Sequence, residues 1–236
     1  MATVRKEDKV LCFKIVYCGT ALSGKTTNLS QIHNRLEPSG RGEMVSLSTA
    51  ADRTLFFDFL AVEANVIQGY RTLFQLYTVP GQIAYNATLQ LVLRQADGIV
   101  FVADSQIDRQ RDNLQSFQTL EANLRLNGNS IDRIPLVLQY NKRDLPNAAP
   151  VEYMEFLMNN RQRRFTSFEA DASRGRNVLA TLNAVSQGIL SQFHERMVRE
   201  HLELEEEAST EPADTAAESV TASRSKAEPA TMAMAP

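Results

Sequence analysis

Three short and almost continuous apolar runs stand out in the hydrophobic pattern of this chain, at residues 11–18, 98–104 and 134–140. Polar or glycine-containing segments bound each run. Apolar runs of this length predict strands that are buried on both faces, as in a parallel sheet.

Apolar residues at helical spacing lie between and after these runs. They predict a helix over residues 27–36, a second helix before Asn127 and Gly128, and a long last helix. Two further runs, 55–62 and 66–79, predict a hairpin that turns at residues 63–65. The alternation of strand and helix predicts an α/β fold with a mostly parallel sheet, an antiparallel edge hairpin and helices on both faces. The two later helical stripes comprise Leu114, Phe117, Leu120 and Leu124, and Val178, Leu182, Val185, Ile189 and Phe193.

Composition adds few constraints to this picture. The 236 residues, of which 43% are hydrophobic, are sufficient for one well-cored domain with an appendage. No segment approaches the length of a membrane span, and the charged N-terminus lacks the apolar region of a signal peptide. Position two is Ala2 rather than the glycine that myristoylation needs, so a direct membrane anchor is not expected. Cys12 and Cys18 are too far apart along one strand to bridge, which predicts reduced thiols and a cytoplasmic protein.

The end of the chain differs from the rest in charge. Residues 203–236 contain eight acidic and two basic residues, a net charge of −6, whereas the whole chain carries −3. This segment is rich in Ala, Ser, Thr, Pro and Glu and has no aromatic residue, so it cannot bury enough apolar surface to offset the entropy of ordering. We therefore predict a folded domain over residues 1–202 and a disordered acidic tail over 203–236.

A phosphate-binding motif follows the first apolar run. Residues 19–26 have the sequence G-T-A-L-S-G-K-T, which matches the P-loop pattern G-x-x-x-x-G-K-[ST] between a predicted strand and a predicted helix. Small residues let the backbone wrap around a phosphate, and the helix N-terminus favours negative charge. Lys25 would reach the β- and γ-phosphates, and the Thr26 hydroxyl would bind Mg²⁺. The predicted phosphate-binding residues are Gly19, Ser23, Gly24, Lys25, Thr26 and Thr27.

A second motif indicates which base the site binds. Asn141, Lys142 and Asp144 belong to the sequence N-K-R-D, which follows the apolar run at 134–140. A carboxylate there can accept two hydrogen bonds from guanine, at N1–H and the exocyclic amine, whereas adenine offers no such pair of donors. The Lys142 stem can cover the base, and Asn141 can link this loop to the phosphate loop. The two motifs together predict a P-loop NTPase of the small G-domain type that binds GTP and GDP.

Several longer segments resemble the MglA family of bacterial mutual gliding-motility proteins, which are small Ras-like GTPases. They are D-R-T-L-F-F-D-F at 52–59, L-Y-T-V-P-G-Q at 76–82, V-A-D-S-Q at 102–106 and Q-Y-N-K-R-D-L-P-N-A at 139–148. The resemblance covers about residues 10–198. It implies a GTP-hydrolysing switch with bound Mg²⁺ that acts in cell polarity or gliding motility, in a cytoplasmic protein that is recruited to a cell pole.

The resemblance also implies partners and catalytic residues. The partners are a roadblock-fold activating protein, similar to MglB, and effectors that bind the GTP state; no nucleic acid is expected. Arg53 would be an arginine finger supplied by the same chain, and Gln82 would orient the attacking water. Gly81 would donate its N–H to the γ-phosphate. Thr54 is the candidate switch threonine for γ-phosphate and Mg²⁺, and Thr49 is the alternative.

One position departs from the usual GTPase pattern D-x-x-G. Thr78 occupies the place of the Asp that normally holds a Mg²⁺-bound water, and a neutral hydroxyl is a weaker partner for that water. Asp52 or Asp58 could compensate. A hairpin that turns at residues 63–65 places position 50 opposite Thr78, which favours Asp52. The alternative is that Thr26, Thr54, phosphate and water hold the ion without a carboxylate.

Alternatives remain for the last contact to the guanine base and for the reaction of the bound nucleotide. Many GTPases carry the sequence S-A-K after the next strand, whereas this chain has Glu169-Ala170-Asp171. Only the backbone N–H of Ala170 then transfers as a donor to guanine O6.

Because of Thr78, a GTP-gated interaction module that does not hydrolyse GTP is the alternative function. An ATP-dependent kinase is disfavoured by the N-K-R-D sequence.

Overall fold

The computed structural model describes residues 3–5, 9–47, 57–67, 69–79, 81 and 86–210. The chain divides into two compact units, Met1–His194 and Glu195–Pro236. The first unit contains all the strands found among the described residues, and the second contains the end of the last helix.

The sheet has its parallel strands in the centre and an antiparallel hairpin towards one edge. The strand order is β3-β4-β5-β2-β6-β7-β8, and β1 pairs with β2 outside this path. Strands β5, β2, β6, β7 and β8 are parallel to one another, whereas β3, β4 and β5 form antiparallel pairs. The strands are β1 (Thr3–Arg5), β2 (Val10–Cys18), β3 (Val45–Leu47), β4 (Phe57–Ile67), β5 (Tyr70–Thr78), β6 (Gly98–Asp104), β7 (Leu136–Asn141) and β8 (Thr166–Glu169).

Helices cover both faces of the sheet. Side chains of β6 alternate between the faces: Ile99 and Phe101 pack in one core with Phe117, while Val100 packs in the other with Leu29. Both faces of β6 and β7 are buried, which explains their continuous apolar sequences. The helices are α1 (Lys25–Arg35), α2 (Asn86–Leu93), α3 (Gln110–Leu126), α4 (Val151–Met158) and α5 (Val178–Thr210). The predicted fold class is confirmed.

The first strand of the hairpin is longer than the sequence pattern predicts, and the turn lies further along the chain. Strand β4 continues to Ile67, and β5 begins at Tyr70 after an irregularity between Ala64 and Ile67. Phe59 therefore pairs with Tyr77. The predicted turn at 63–65 is wrong, because Ala64 still has a cross-strand partner in Thr72 and a bulge absorbs the extra residues.

The last helix also extends beyond the predicted domain end at residue 202. Helix α5 continues to Thr210, so residues 203–210 are helical rather than disordered. Their run of Glu and Leu residues has high helix propensity, and the preceding turns provide the helix nucleus. The rest of the predicted tail, from residue 211, lies outside the described residues. Within the described part of the chain, no helix is both long and apolar enough to cross a membrane.

Candidate functional site

The candidate site lies where the carboxyl ends of β2, β6 and β7 meet. Because these strands are parallel, the loops that follow them lie at the same edge of the sheet. Backbone and side-chain hydrogen bonds join them: Ser105 N–H donates to Asn141 O (2.9 Å), and Asn141 Nδ2 donates to Ser23 O (2.7 Å). The two loops that the sequence assigns to phosphate and base are therefore in direct contact.

The phosphate loop needs both of its glycines. Gly19 and Gly24 have φ angles of +135° and +100°, which L side chains rarely adopt. A Cβ atom at Gly19 would collide with the carbonyl of Val102, and one at Gly24 would collide with the Asn141 amide. Glycine is therefore required at both positions, because the loop approaches β6 and the end of β7 too closely for a side chain.

Helix α1 begins at this loop and leaves backbone donors for a ligand. Its first intrahelical bond is from Asn28 N–H to Gly24 O (3.0 Å). The N–H groups that precede Asn28, from Lys25 to Thr27, therefore have no acceptor within the helix. Donors of this kind at a helix N-terminus suit a phosphate group.

Lys25 is buried within the loop. Its ammonium donates to the carbonyl oxygens of Gly19 (3.0 Å) and Thr20 (2.5 Å). Burial lowers the pKa of Lys25 to about 8, and the positive charge of Lys142 acts in the same direction. The hydroxyls of Thr20 and Ser23 are buried and make no hydrogen bond within the described residues. An anion with several acceptor oxygens would satisfy this set of donors.

A carboxylate and two hydroxyls meet beside the phosphate loop. The hydroxyls of Thr26 (2.6 Å) and Thr78 (2.8 Å) both donate to Oδ2 of Asp58. The backbone N–H of Asp58 also donates to the Thr78 hydroxyl (2.9 Å). The cluster brings together a helix start and two neighbouring strands.

This arrangement corrects the predicted pairing partner of Thr78. The register of β4 and β5 places Asp58 opposite Thr78, whereas the sequence favoured Asp52, which lies outside the described residues. The difference follows from the misplaced hairpin turn. The signal for Asp58 was present in the sequence as a carboxylate within an apolar strand.

Several predicted switch residues lie outside the described residues, namely Arg53, Thr54, Gln82 and the alternative Thr49. Gly81 is described, and it lies against the phosphate loop. A Cβ atom at Gly81 would collide with backbone atoms of Gly19, Thr20 and Ala21. The backbone of Gly81 is therefore adjacent to the predicted phosphate site.

The N-K-R-D segment, which begins at the last residue of β7, uses three of its four side chains for internal contacts. Asn141 donates to Ser23 O (2.7 Å) and accepts from Ala172 N–H (2.8 Å). Arg143 donates to Ala149 O (2.5 Å) and Glu169 (3.0 Å). Lys142 donates to Asp104 Oδ2 (2.7 Å).

Asp144 differs from its neighbours in the same loop. It is exposed, and its side chain makes no hydrogen bond within the described residues. The loop itself is fixed, because Leu145 N–H donates to Lys142 O (3.2 Å) and Arg143 N–H donates to Ala170 O (3.0 Å). A carboxylate held on an ordered loop is therefore available to accept hydrogen bonds from a ligand.

Ala170 does not have the predicted role. Its N–H donates to Tyr140 O (2.7 Å) and is buried, so it is not available to guanine O6. The N–H continues the hydrogen-bond ladder between β7 and β8 by one residue beyond the end of β8. The following loop nevertheless remains at the site, because Ala172 N–H donates to Asn141.

A buried pair of amides that the sequence analysis missed supports these loops. Asn28 and Gln139 donate to each other (2.8 and 2.9 Å), and Gln139 also donates to the Thr181 hydroxyl (3.0 Å). All three side chains are fully buried. They join α1, β7 and α5: Asn28 follows the phosphate loop by two residues, and Gln139 precedes Asn141 by two residues. A glutamine within the apolar run of β7 was the signal.

Comparisons with known proteins show the family to which the chain belongs. Residues 3–189 match the family model of the ADP-ribosylation factor family. The chain is also 46% identical over 193 residues to the mutual gliding-motility protein MglA of Myxococcus xanthus (strain DK1622), a match that covers 82% of this chain and 98% of that protein.

Proposed function

The chain belongs to the ADP-ribosylation factor family of small GTPases and is a homologue of the gliding-motility protein MglA, and on this basis we propose that it is a GTP-hydrolysing switch for gliding motility or cell polarity. Membership of the family implies guanine nucleotide binding and GTPase activity. The observation that carries the proposal is the direct hydrogen bond between Asn141 and the phosphate loop. The exposed Asp144 belongs to the same segment as Asn141 and is available beside that loop.

The phosphates and the base would use different parts of this edge. The N–H groups at the start of α1 and the buried ammonium of Lys25 would bind phosphate oxygens. Asp144 would accept hydrogen bonds from guanine N1–H and its amine, and an unpaired carboxylate would disfavour adenine. Competition of unlabelled GTP and ATP against fluorescent GDP tests this assignment; equal displacement by both nucleotides would contradict it.

Mg²⁺ would bind beside Thr26, together with the switch threonine Thr54. Oxygen atoms are the ligands that Mg²⁺ prefers, and the cluster of Thr26, Asp58 and Thr78 supplies three side chains with oxygen atoms. The ion would neutralise charge on the β- and γ-phosphates. Asp58 would supply the negative charge that the usual D-x-x-G Asp provides, since it contacts both Thr26 and Thr78.

We expect Asp58→Ala to weaken the dependence of GDP binding on Mg²⁺. In the parent protein, chelation of Mg²⁺ should accelerate GDP dissociation strongly, whereas in the variant dissociation should be fast already and chelation should change it by less than about threefold. The measurement is release of fluorescent GDP with Mg²⁺ or with EDTA.

Glu63→Gln, on the same strand but in an exposed pair with Arg71, is the matched control and should behave like the parent protein. An undiminished EDTA effect in Asp58→Ala would contradict the role of Asp58.

Hydrolysis would depend on residues of the switch segments. Gln82 would orient the attacking water, and Arg53 would stabilise charge on the γ-phosphate when a roadblock-fold partner remodels these segments. Bound γ-phosphate would order the segments around Thr54 and Gln82, and hydrolysis would release them, so that effectors bind only the GTP state. We also propose that the protein is cytoplasmic and that such partners would recruit it to a cell pole.

We expect Gln82→Ala to lower partner-stimulated hydrolysis by at least about tenfold and to leave GDP affinity near that of the parent protein. The reason is that this amide would contact the attacking water and not the bound nucleotide. Phosphate release with a roadblock-fold partner present measures the first quantity, and fluorescent GDP titration measures the second. A stimulated rate equal to the parental rate would exclude the catalytic role of Gln82.

One observation favours a second candidate function. Thr78 replaces the usual carboxylate, which is compatible with a GTP-gated interaction module that does not hydrolyse the nucleotide. Phosphate release by the purified protein, alone and with a roadblock-fold partner, separates the two functions. Tight GTP binding without turnover under either condition would support the module.

A further inference from the structure

The ion pair between Lys142 and Asp104 has no role in the function proposed above. Their atoms Nζ and Oδ2 are 2.7 Å apart, and the side chain of Asp104 is 1% exposed while that of Lys142 is 28% exposed. A buried carboxylate is costly unless it is paired and hydrogen-bonded. The pair therefore differs from the exposed ion pairs on the surface, which are free to rearrange.

Asp104 is held in place by the segment that follows its strand and by α3. Its second oxygen, Oδ1, accepts from the N–H of Gln106 (3.1 Å). Its backbone N–H donates to Asn113 (3.0 Å), and its carbonyl accepts from Asn113 (2.8 Å) and Gln110 (3.1 Å). Since Asn113 and Gln110 are buried, the position of the carboxylate is fixed before any ligand binds.

The backbone end of Lys142 is fixed as well. Its φ of +65° lies in the left-handed region, which is unusual for a residue with a side chain. The carbonyl of Lys142 accepts from Leu145 N–H (3.2 Å). The methylene stem of Lys142 therefore runs between two fixed points, and Asp144 lies two residues further along the same loop.

We propose that Asp104 is a positioning residue for the guanine base. It anchors the ammonium of Lys142, so that the stem forms an apolar wall in a fixed place beside the base that Asp144 binds. A free lysine side chain is flexible and would have to be ordered when the nucleotide binds, whereas an anchored one is ordered beforehand. This proposal rests on guanine nucleotide binding, and it adds a residue that does not itself contact the nucleotide.

Asp104→Asn removes the charge and retains an oxygen that can accept from Gln106 N–H. The ammonium of Lys142 is then drawn to solvent, and we expect fluorescent GDP to dissociate about tenfold faster at saturating Mg²⁺. Glu169→Gln is the matched control, because Glu169 pairs with Arg143 of the same loop but is 51% exposed. Its dissociation rate should equal the parental rate.

A double variant distinguishes positioning from a structural role. If Asp104 acts through Lys142, then Asp104→Asn in a Lys142→Met background should not accelerate GDP dissociation further. Additive effects of the two substitutions, or a lower melting temperature of Asp104→Asn with a parental dissociation rate, would overturn the proposal. Failure of the parent protein itself to bind GDP would overturn the proposed function as well, so the two failures are distinguishable.

Discussion

Asp144→Asn should lower the affinity for GTP by about 10³-fold, which corresponds to about 4 kcal/mol. The Asp144 carboxylate can accept both guanine donors, N1–H and the exocyclic amine. An amide at this position has one acceptor oxygen, and its NH₂ group faces the amine of guanine without an acceptor. A site that accepts hydrogen bonds from its ligand loses far more affinity through such a mismatch than through a change in an apolar contact.

The same substitution should create a preference for xanthosine triphosphate. Xanthine has a carbonyl oxygen in place of the guanine amine, and the new amide NH₂ can donate to it while the amide oxygen still accepts from N1–H. Displacement of fluorescent nucleotide by GTP and by xanthosine triphosphate measures both effects. Asp108→Asn, a carboxylate that contacts Asn147 at the same edge, is the control. Unchanged GTP affinity in Asp144→Asn would show that another group binds the base.

Arg53→Ala should lower partner-stimulated GTP hydrolysis by about 10³-fold and change GDP affinity little. An arginine that approaches the γ-phosphate only in the activated complex stabilises charge that develops in the transition state. It contributes little to binding of the ground state, so its loss should appear in turnover rather than in affinity.

The measurement is single-turnover phosphate release with and without a roadblock-fold partner. Arg71→Ala is the control, since Arg71 is exposed and, among the described residues, forms its ion pair with Glu63 on the neighbouring strand. A stimulated rate in Arg53→Ala close to that of the parent protein would require that the arginine come from the partner or that none be used.

The parts of the site that depend on short segments could be predicted from the sequence. The phosphate loop from Gly19 to Thr26 lies between β2 and α1, and Asn141 ends β7, as the local pattern indicates. Their proximity also followed, because parallel strands bring the loops at their carboxyl ends together. The direct contact between Asn141 and Ser23 confirms that proximity.

The partner of Thr78 could not be predicted in this way. It depends on the register of two antiparallel strands, and that register follows from where the hairpin turns, which is between Ile67 and Tyr70 rather than at residues 63–65. The apolar pattern alone does not show where along residues 55–79 the hairpin turns. Asp58 is therefore identified by the fold, while the sequence only supplied it as one of two candidates.

The availability of a donor or acceptor is likewise a property of the folded chain. The sequence shows that Ala170 has a backbone N–H, but only the fold shows that this N–H is hydrogen-bonded to the Tyr140 carbonyl and is not available to a ligand. The ion pair of Asp104 and Lys142 joins residues 38 positions apart. Neither contact is visible as a periodic pattern in the sequence.

The sequence by itself determined the fold class, the family and the position of the two candidate nucleotide-binding loops, because apolar periodicity and motif spacing are local along the chain. The tertiary structure decided which carboxylate meets Thr26 and Thr78, which N–H groups are already bonded, and how Lys142 is anchored. These depend on strand register and on contacts between distant segments. Their energies are realised only after the sheet has brought those segments together.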